Sequence, residues 1–111
     1  MTPFLRTNHH SPNSSARPDG VRPSLLVLHT TCMPSVALAL QRLCDPQAQV
    51  SAHYVVGPQG ALWQLVPVEQ QAWHAGVSCW QGQSSVNARS IGIEVAYPGD
   101  RKSTRLNSSH Q

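Results

Sequence analysis

The stretch Ser24–Thr31, SLLVLHTT, decides the fold class, because four apolar residues in a row are followed by a histidine. A short continuous apolar run is typical of a strand that other elements cover on both faces. We therefore predict a central strand over Leu25–Leu28 whose carboxyl end presents the His29 imidazole. A histidine at such an edge is either a hydrogen-bonded structural group or a ligand in a cleft, and the run alone leaves both interpretations open.

A helix and a hairpin are predicted directly after this strand. The segment SVALALQRLCDP places Val36, Leu40 and Leu43 on one face of a helix, and Ser35 can cap its amino end. The segments AHYVV and ALWQLV then flank GPQG. This combination is typical of a β-hairpin with glycine at the turn position that needs unusual backbone dihedrals.

A second long strand is predicted at SIGIEV, from Ser90 to Val95. Alternation places Ile91 and Ile93 on one face and Glu94 on the other. A carboxylate in mid-strand either faces solvent or lies in a pocket as a general base, and the alternation leaves both open. The order strand, helix, hairpin, loop, strand predicts an α/β fold with a mixed central β-sheet flanked by helices.

The loop before this strand, QQAWHAGVSCWQGQSSVN, combines aromatic and small residues. Trp73 and His74 stand directly before Ala75 and Gly76. Small residues beside aromatic ones suit a groove wall where a ligand approaches the backbone, although a packed aromatic loop has the same composition. His53, in SAHY, is interpreted as a structural hydrogen-bonding residue.

Composition divides the chain into three parts. Residues 1–23 are rich in Asn, Ser, Pro and His and predict an extended arm, and residues 24–99 carry the predicted elements. Residues 100–111, DRKSTRLNSSHQ, hold the only lysine of the chain. They are either a disordered tail or non-native sequence, since DRKSTRLNSSH resembles the in-frame translation of a sequencing adapter. We expect the natural protein to continue past Gly99.

The overall composition predicts one small globular domain, with 111 residues of which 40% are hydrophobic. The formal charge of +3 comes mainly from the tail and the other arginines are scattered, which argues against nucleic acid as a partner. No run approaches the roughly 18 apolar residues of a membrane span. The absence of an apolar signal segment and an odd number of cysteines favour the cytoplasm, or the periplasm if the start is misassigned. No oligomeric state is predicted.

Taken together and in order, several motifs resemble the type-2 N-acetylmuramoyl-L-alanine amidases: LLVLHTT, VSAHYVV, LWQLVP, AWHAGVSCWQG, Asn87 in VNARS, and SIGIEV. That family includes phage amidase lysozymes and animal peptidoglycan recognition proteins. The resemblance covers roughly residues 10–99 and is nearest to the bacterial branch that cleaves anhydromuramyl-peptides. It implies the amidase/peptidoglycan recognition fold, here incomplete, with Zn²⁺ as cofactor and peptidoglycan or muramyl-peptides as substrate in cell-wall turnover.

The resemblance also implies residue roles. His29 matches the first zinc ligand, and Glu94 matches the acid that orients and deprotonates the attacking water. Ala52 stands where phage and animal relatives carry tyrosine, which favours the branch that uses the glutamate. His53 matches a histidine beside the site whose role stays open. The groove that holds the muramyl-peptide is matched by Trp73, His74, Ala75, Gly76 and Asn87.

The same resemblance implies two further zinc ligands, a histidine and an aspartate, in a C-terminal part that this sequence does not match. His110 lies in the adapter-like tail and is not assigned. We therefore expect the 111-residue chain to be inactive as given and to fold poorly, because missing helices would leave apolar sheet faces exposed. The alternative function is a non-catalytic peptidoglycan-binding module. The presence of both His29 and Glu94 argues against it, since a binder needs no general base.

Overall fold

Leu25–Thr30 of the SLLVLHTT stretch form a strand, and the helix, hairpin and second strand predicted around it are present. The computed structural model describes residues 5–30, 35–74 and 86–96. In these ranges the α-helices are α1 (Val36–Leu43) and α2 (Val86–Arg89). The strands are β1 (Leu5–Arg6), β2 (Ser14–Ala16), β3 (Leu25–Thr30), β4 (Tyr54–Val56), β5 (Leu62–Gln64), β6 (Gln70–Ala72) and β7 (Ser90–Val95). The predicted α/β class is confirmed.

Within the described residues, five strands form one mixed sheet in the order β1-β5-β4-β7-β3. β7 runs parallel to both of its neighbours, β3 and β4, while β4 and β5 form the antiparallel hairpin predicted around GPQG. β2 and β6 pair separately as a small antiparallel sheet. Parallel pairing brings the carboxyl ends of β3, β4 and β7 to one edge, which is where open α/β sheets hold their ligands.

Helix α1 forms as predicted and covers one face of the sheet. The Ser35 hydroxyl accepts a hydrogen bond from the backbone N–H of Leu38, which satisfies a donor that the first turn leaves without a helical partner. Leu40 and Leu43 are buried in the core, and Val36 packs against its margin. The face of this helix therefore agrees with the predicted spacing, and burial of its leucines holds the helix against the sheet.

The prediction that β3 is a central strand covered on both faces is wrong for the described part of the chain. β3 lies at the edge of the sheet, beside β7. The side chain of Leu26 is 63% exposed and that of Leu28 is 49% exposed. Both lie on the face opposite His29, because successive side chains of a strand point to opposite sides. An apolar run indicates a strand whose side chains are buried when other elements pack on it, but it does not indicate which elements those are.

Two further differences concern the loops. The segment predicted as one loop before β7 contains a strand, β6, and ends in the short helix α2. In the GPQG turn, Gly60 has φ +81°, as the hairpin pattern predicts. Gln59 also has a positive φ, +66°, which the pattern did not predict.

The N-terminal segment contributes strands β1 and β2 and is tied to the end of α1. The amide of Asn13 donates to the backbone carbonyls of Asp45 and Val50, over 2.9 and 2.8 Å. The hydroxyl of Ser11 donates to the carbonyl of Leu43, one of the helix-end acceptors. Both polar side chains are buried, which their hydrogen bonds permit.

No helix in the described ranges has the length and apolar character needed to cross a membrane. The tail predicted at residues 100–111 lies outside the described residues.

Candidate active site

The candidate site lies at the carboxyl ends of β3 and β7, where the strand register places His29 directly beside Glu94. Register partners in parallel strands point to the same face, and neighbouring strands lie about 4.8 Å apart. On its other side, Glu94 has Val55 of β4 as its register partner, and Val55 is fully buried. The two residues that the sequence singled out from separate motifs are thus brought together by β-sheet pairing alone.

His74 is the third member of this cluster. Its Nδ1 lies 3.1 Å from Nε2 of His29, and the two rings meet edge to face with centroids 5.3 Å apart. On its other side, Nε2 lies 2.7 Å from the hydroxyl oxygen of Ser90. The Ser90 hydroxyl in turn donates to the backbone carbonyl of Val86, in the first turn of α2, over 2.7 Å. His74 therefore bridges His29 to the start of β7.

The glycine in SIGIEV is explained by this ring. A Cβ atom built on Gly92 would stand 2.3 Å from Cγ of His74, closer than any real contact allows. Gly92 lies two residues before Glu94 and on the same face of β7. The strand therefore makes room for an imidazole against its backbone, which no residue with a side chain would permit.

The pKa of His74 is lowered from 6.5 to about 3, first by burial and then by the neighbouring His29, His53 and Arg17, in that order. His74 is consequently neutral at neutral pH. A neutral imidazole has one N–H donor and one acceptor nitrogen, so the ring can receive one hydrogen bond and donate one.

The pKa of Glu94 is raised from 4.5 to about 7 by burial, against the charge of Arg42, on α1, which lowers it. A carboxyl group with a pKa near the working pH can both accept and return a proton, which is what general acid–base catalysis requires. The Glu94 carboxyl is therefore largely withdrawn from solvent, while its role as a general base stays a prediction.

His53 is fully buried and both of its ring nitrogens contact the backbone. Nδ1 accepts a hydrogen bond from the N–H of Gly92 over 3.0 Å, so Nε2 carries the proton and donates to the carbonyl of Gln70 over 2.8 Å. The Arg17 guanidinium also lies 3.3 Å from Nε2, but two donors cannot share a hydrogen bond. Burial, followed by the charge of Arg17, lowers the pKa of His53, against the hydrogen bond to Gln70, which raises it. His53 ties β6 to β7, as the structural interpretation expects.

Arg17 is a residue that the sequence analysis missed. Its guanidinium donates to the carbonyls of Val68, Ala88 and Ser90 over 2.9 to 3.1 Å, and to that of Asn87 over 3.3 Å. These carbonyls belong to α2, the start of β7 and the loop before β6, so one side chain from the arm holds three segments together. A single arginine in a polar segment carries no periodicity, so no local signal marks it.

Three of the five residues predicted to form the groove wall, Trp73, His74 and Asn87, are among the described residues. The side-chain oxygen of Asn87 accepts a hydrogen bond from the backbone N–H of His74 over 3.1 Å. The indole N–H of Trp73 donates to the Ser15 hydroxyl over 3.1 Å. Asn87 is thus joined to the cluster of His29 and Glu94 through His74, whereas the indole of Trp73 contacts β2. The predicted wall residues Ala75 and Gly76 lie outside the described residues.

The described residues supply part of the donor set that a catalytic zinc ion needs. A catalytic zinc site takes three protein ligands, with imidazole nitrogen among the preferred donors. His29 fits one of these positions, since it stands at a strand end with a carboxylate beside it. Across residues 5–30, 35–74 and 86–96, no three His, Cys, Asp or Glu side chains converge to hold a metal. A complete zinc site therefore needs ligands from beyond these ranges.

Comparison with known proteins places this geometry in a class. The fold is similar to that in a crystal structure of a selenomethionine derivative of AmpD, with a TM-score of 0.73 and 34% identity, over 86% of this chain and 63% of the other. It is also similar to that of the N-acetylmuramyl-L-alanine amidase AmiD from E. coli, solved with the substrate anhydro-N-acetylmuramic acid-L-Ala-D-gamma-Glu-L-Lys. The TM-score there is 0.59 and the identity 38%, over 75% of this chain and 35% of the other.

The sequence comparisons agree with the structural ones. The family model described as N-acetylmuramoyl-L-alanine amidase matches residues 19–109, so the chain belongs to that family. The 1,6-anhydro-N-acetylmuramyl-L-alanine amidase AmpD of Salmonella typhimurium (strain SL1344) is 37% identical over 102 residues, which covers 77% of this chain and 54% of the relative. The chain thus spans about half the length of that relative.

Proposed function

We propose that the domain to which this chain belongs hydrolyses the amide bond between the lactyl group of N-acetylmuramic acid and L-alanine. The observation that carries the proposal is the register of β3 against β7, which places His29 beside a Glu94 whose carboxyl titrates near neutral pH. Relatives named as anhydromuramyl-L-alanine amidases support the choice of bond.

Zinc is proposed as the cofactor, with His29 as one of its ligands. A bound zinc ion polarises the carbonyl of an amide and makes a neighbouring water more acidic. The imidazole at the strand end supplies a nitrogen donor for that purpose. The other two ligands are proposed to come from a segment of the domain outside the described residues, which agrees with the partial coverage of the relatives.

Glu94 is proposed as the general base. Its ionised form accepts a proton from the attacking water, and its protonated form returns that proton to the leaving amine of the L-alanyl peptide. An amide amine is a poor leaving group unless it is protonated, so a group that works in both directions has an advantage. A carboxyl that titrates near pH 7 can do both within one catalytic cycle.

The substrate is proposed to be a muramyl-peptide released during cell-wall turnover, held along the wall formed by Trp73, His74 and Asn87. We place this recycling reaction in the cytoplasm. The isolated chain is proposed to be inactive, because His29 is the one proposed zinc ligand among the described residues.

The test is a chimera in which residues 1–96 are joined to the C-terminal part of an AmpD relative. With Zn²⁺, we expect the chimera to release the L-alanyl peptide from an anhydromuramyl-peptide, as followed by mass spectrometry. His29→Ala and Glu94→Gln are expected to abolish release, and the exposed Glu69→Gln control to retain it. Turnover that survives Glu94→Gln would contradict the proposal. Tight binding without turnover in the unmutated chimera would favour the binding module instead.

A further inference from the structure

His53 is bonded to Gly92 through both its backbone and its ring. The backbone N–H of His53 donates to the carbonyl of Gly92 over 2.9 Å, and the N–H of Gly92 donates to Nδ1 of the ring over 3.0 Å. The His53 carbonyl also accepts from the N–H of Leu65, and Nε2 lies 2.8 Å from the carbonyl of Gln70. One fully buried residue therefore joins β7 to the end of β5 and to β6.

The ring of His53 continues the ladder between β4 and β7 past the end of β4. The N–H of Ala96 donates to the carbonyl of Val56 over 2.8 Å, and the hydrogen bonds of a parallel ladder are evenly spaced. By this spacing, the N–H of Gly92 would meet the carbonyl of Ala52. It meets Nδ1 of His53 instead. A side chain thus takes the place of a backbone acceptor where β4 begins.

The peptide group held in this way supports two residues of the candidate site. The ring of His74 lies so close to Gly92 that a Cβ atom there would clash with it. Glu94 follows two residues later, on the same face of the strand. The position of the Gly92 backbone therefore affects where both side chains lie.

The roles of the two ring nitrogens of His53 follow from their backbone partners. A backbone N–H can only donate and a carbonyl can only accept, so Nδ1 is unprotonated and Nε2 carries the proton. We propose that His53 is a positioning residue whose unprotonated Nδ1 holds the Gly92 peptide and thereby places the Glu94 carboxyl for proton transfer. This inference rests on the proposed role of Glu94 as general base.

A matched pair of variants separates the two ring nitrogens. His53→Asn keeps an acceptor at the δ position and lacks the ε donor, whereas His53→Gln reaches the ε position and lacks the δ acceptor. Because a displacement of about 1 Å can cost about a hundredfold in rate, His53→Gln should lower kcat of the folded, zinc-loaded chimera by about 10- to 100-fold, with KM changed by under about threefold. His53→Asn should keep kcat within about threefold of the unmutated chimera. Equal losses, or a larger loss in His53→Asn, would overturn the inference.

A second measurement needs neither zinc nor substrate. An N–H···N hydrogen bond transmits a scalar coupling between its two nitrogens. We expect ¹⁵N NMR of the metal-free chain, in an osmolyte that strengthens burial, to show this coupling between the Gly92 amide and Nδ1 of His53. The Gly92 amide should also exchange with deuterium about tenfold faster in His53→Gln than in His53→Asn. An absent coupling, or equal exchange rates, would overturn the inference.

If neither variant folds, the coupling in the unmutated chain still decides whether Nδ1 holds Gly92. An inactive unmutated chimera would count against the proposed function alone, because the NMR measurements do not depend on turnover. A chimera that turns over without the coupling to Gly92 would count against this inference alone.

Discussion

Replacement of Glu94 by glutamine should change how stability depends on pH. Burial moves the pKa of the Glu94 carboxyl from 4.5 to about 7 in the folded chain. Because the folded pKa is raised, the folded state favours the protonated carboxyl. Its contribution to stability is fully present below about pH 4.5 and is lost as the pH rises through about 7.

The size of this effect follows from the pKa. A change of that extent corresponds to about 3 kcal/mol in the free energy of unfolding, taken as an upper value for a carboxyl that is not fully buried. Glutamine has a similar shape and no charge. Relative to the wild type, Glu94→Gln should therefore gain up to about 3 kcal/mol between about pH 4 and pH 8. A residue retained against stability in this way is typical of a functional site.

The assay is urea unfolding of both chains across this pH range, followed by tryptophan fluorescence in the presence of a stabilising osmolyte. The difference between the two chains is the quantity of interest, because His53 and His74 titrate in both. Their lowered pKa values act in the opposite sense, since they contribute stability above about pH 6.5 that is lost as the pH falls. If the free energy of unfolding depends on pH in the same way in the wild type and in Glu94→Gln, the raised pKa of the buried Glu94 carboxyl is refuted.

Three further predictions concern the scaffold. Gly92→Ala should displace the ring of His74 and destabilise the fold by about 1–3 kcal/mol, measured by urea unfolding, and a neutral result would contradict the close packing. Arg17→Met leaves backbone carbonyls without their donor and should lower the free energy of unfolding by about 2–3 kcal/mol. The control Arg22→Met, at an exposed position, should lower it by under about 0.5 kcal/mol, and equal losses would argue against the role of Arg17 in joining the three segments. Leu26→Thr should reduce binding of a hydrophobic dye with under about 1 kcal/mol change in stability, and a large loss would mean that this face is covered.

Much of the fold could be predicted because it depends on local sequence patterns: apolar spacing, alternation, helix caps and turn residues. The helix α1 follows from apolar spacing and a serine cap, and both appear where the sequence places them. The alternation in SIGIEV predicted which face Glu94 occupies, and the register of β7 confirms it. In the β4–β5 hairpin, Gly60 takes the positive φ expected of the turn.

The remainder depends on which elements become neighbours, and local patterns do not contain that information. The apolar run of β3 is compatible with a central or an edge strand, and the structure places it at an edge. β6 is short and polar and forms because β2 pairs with it. Its sequence therefore lacks the alternation of apolar and polar residues that would predict a strand. The contact of His74 with His29 joins residues 45 positions apart, and Arg17 donates a hydrogen bond to the carbonyl of Ser90, 73 positions along the chain.

The candidate site divides in the same way. His29 and Glu94 could be named from their motifs, and the parallel register explains why they lie side by side. The hydrogen bonds through Ser90 could not be predicted, because they join a hydroxyl, an imidazole and a carbonyl that meet only after folding.

The proposed hydrolysis requires the carboxylate of Glu94, on β7, and the imidazole of His29, on β3, to act on one amide bond. The most direct measurement is mass-spectrometric detection of the freed L-alanyl peptide from the proposed substrate, with the zinc-loaded chimera and its Glu94→Gln variant compared at equal concentration. The account predicts steady release by the first and none above background by the second. Equal release by both would contradict it.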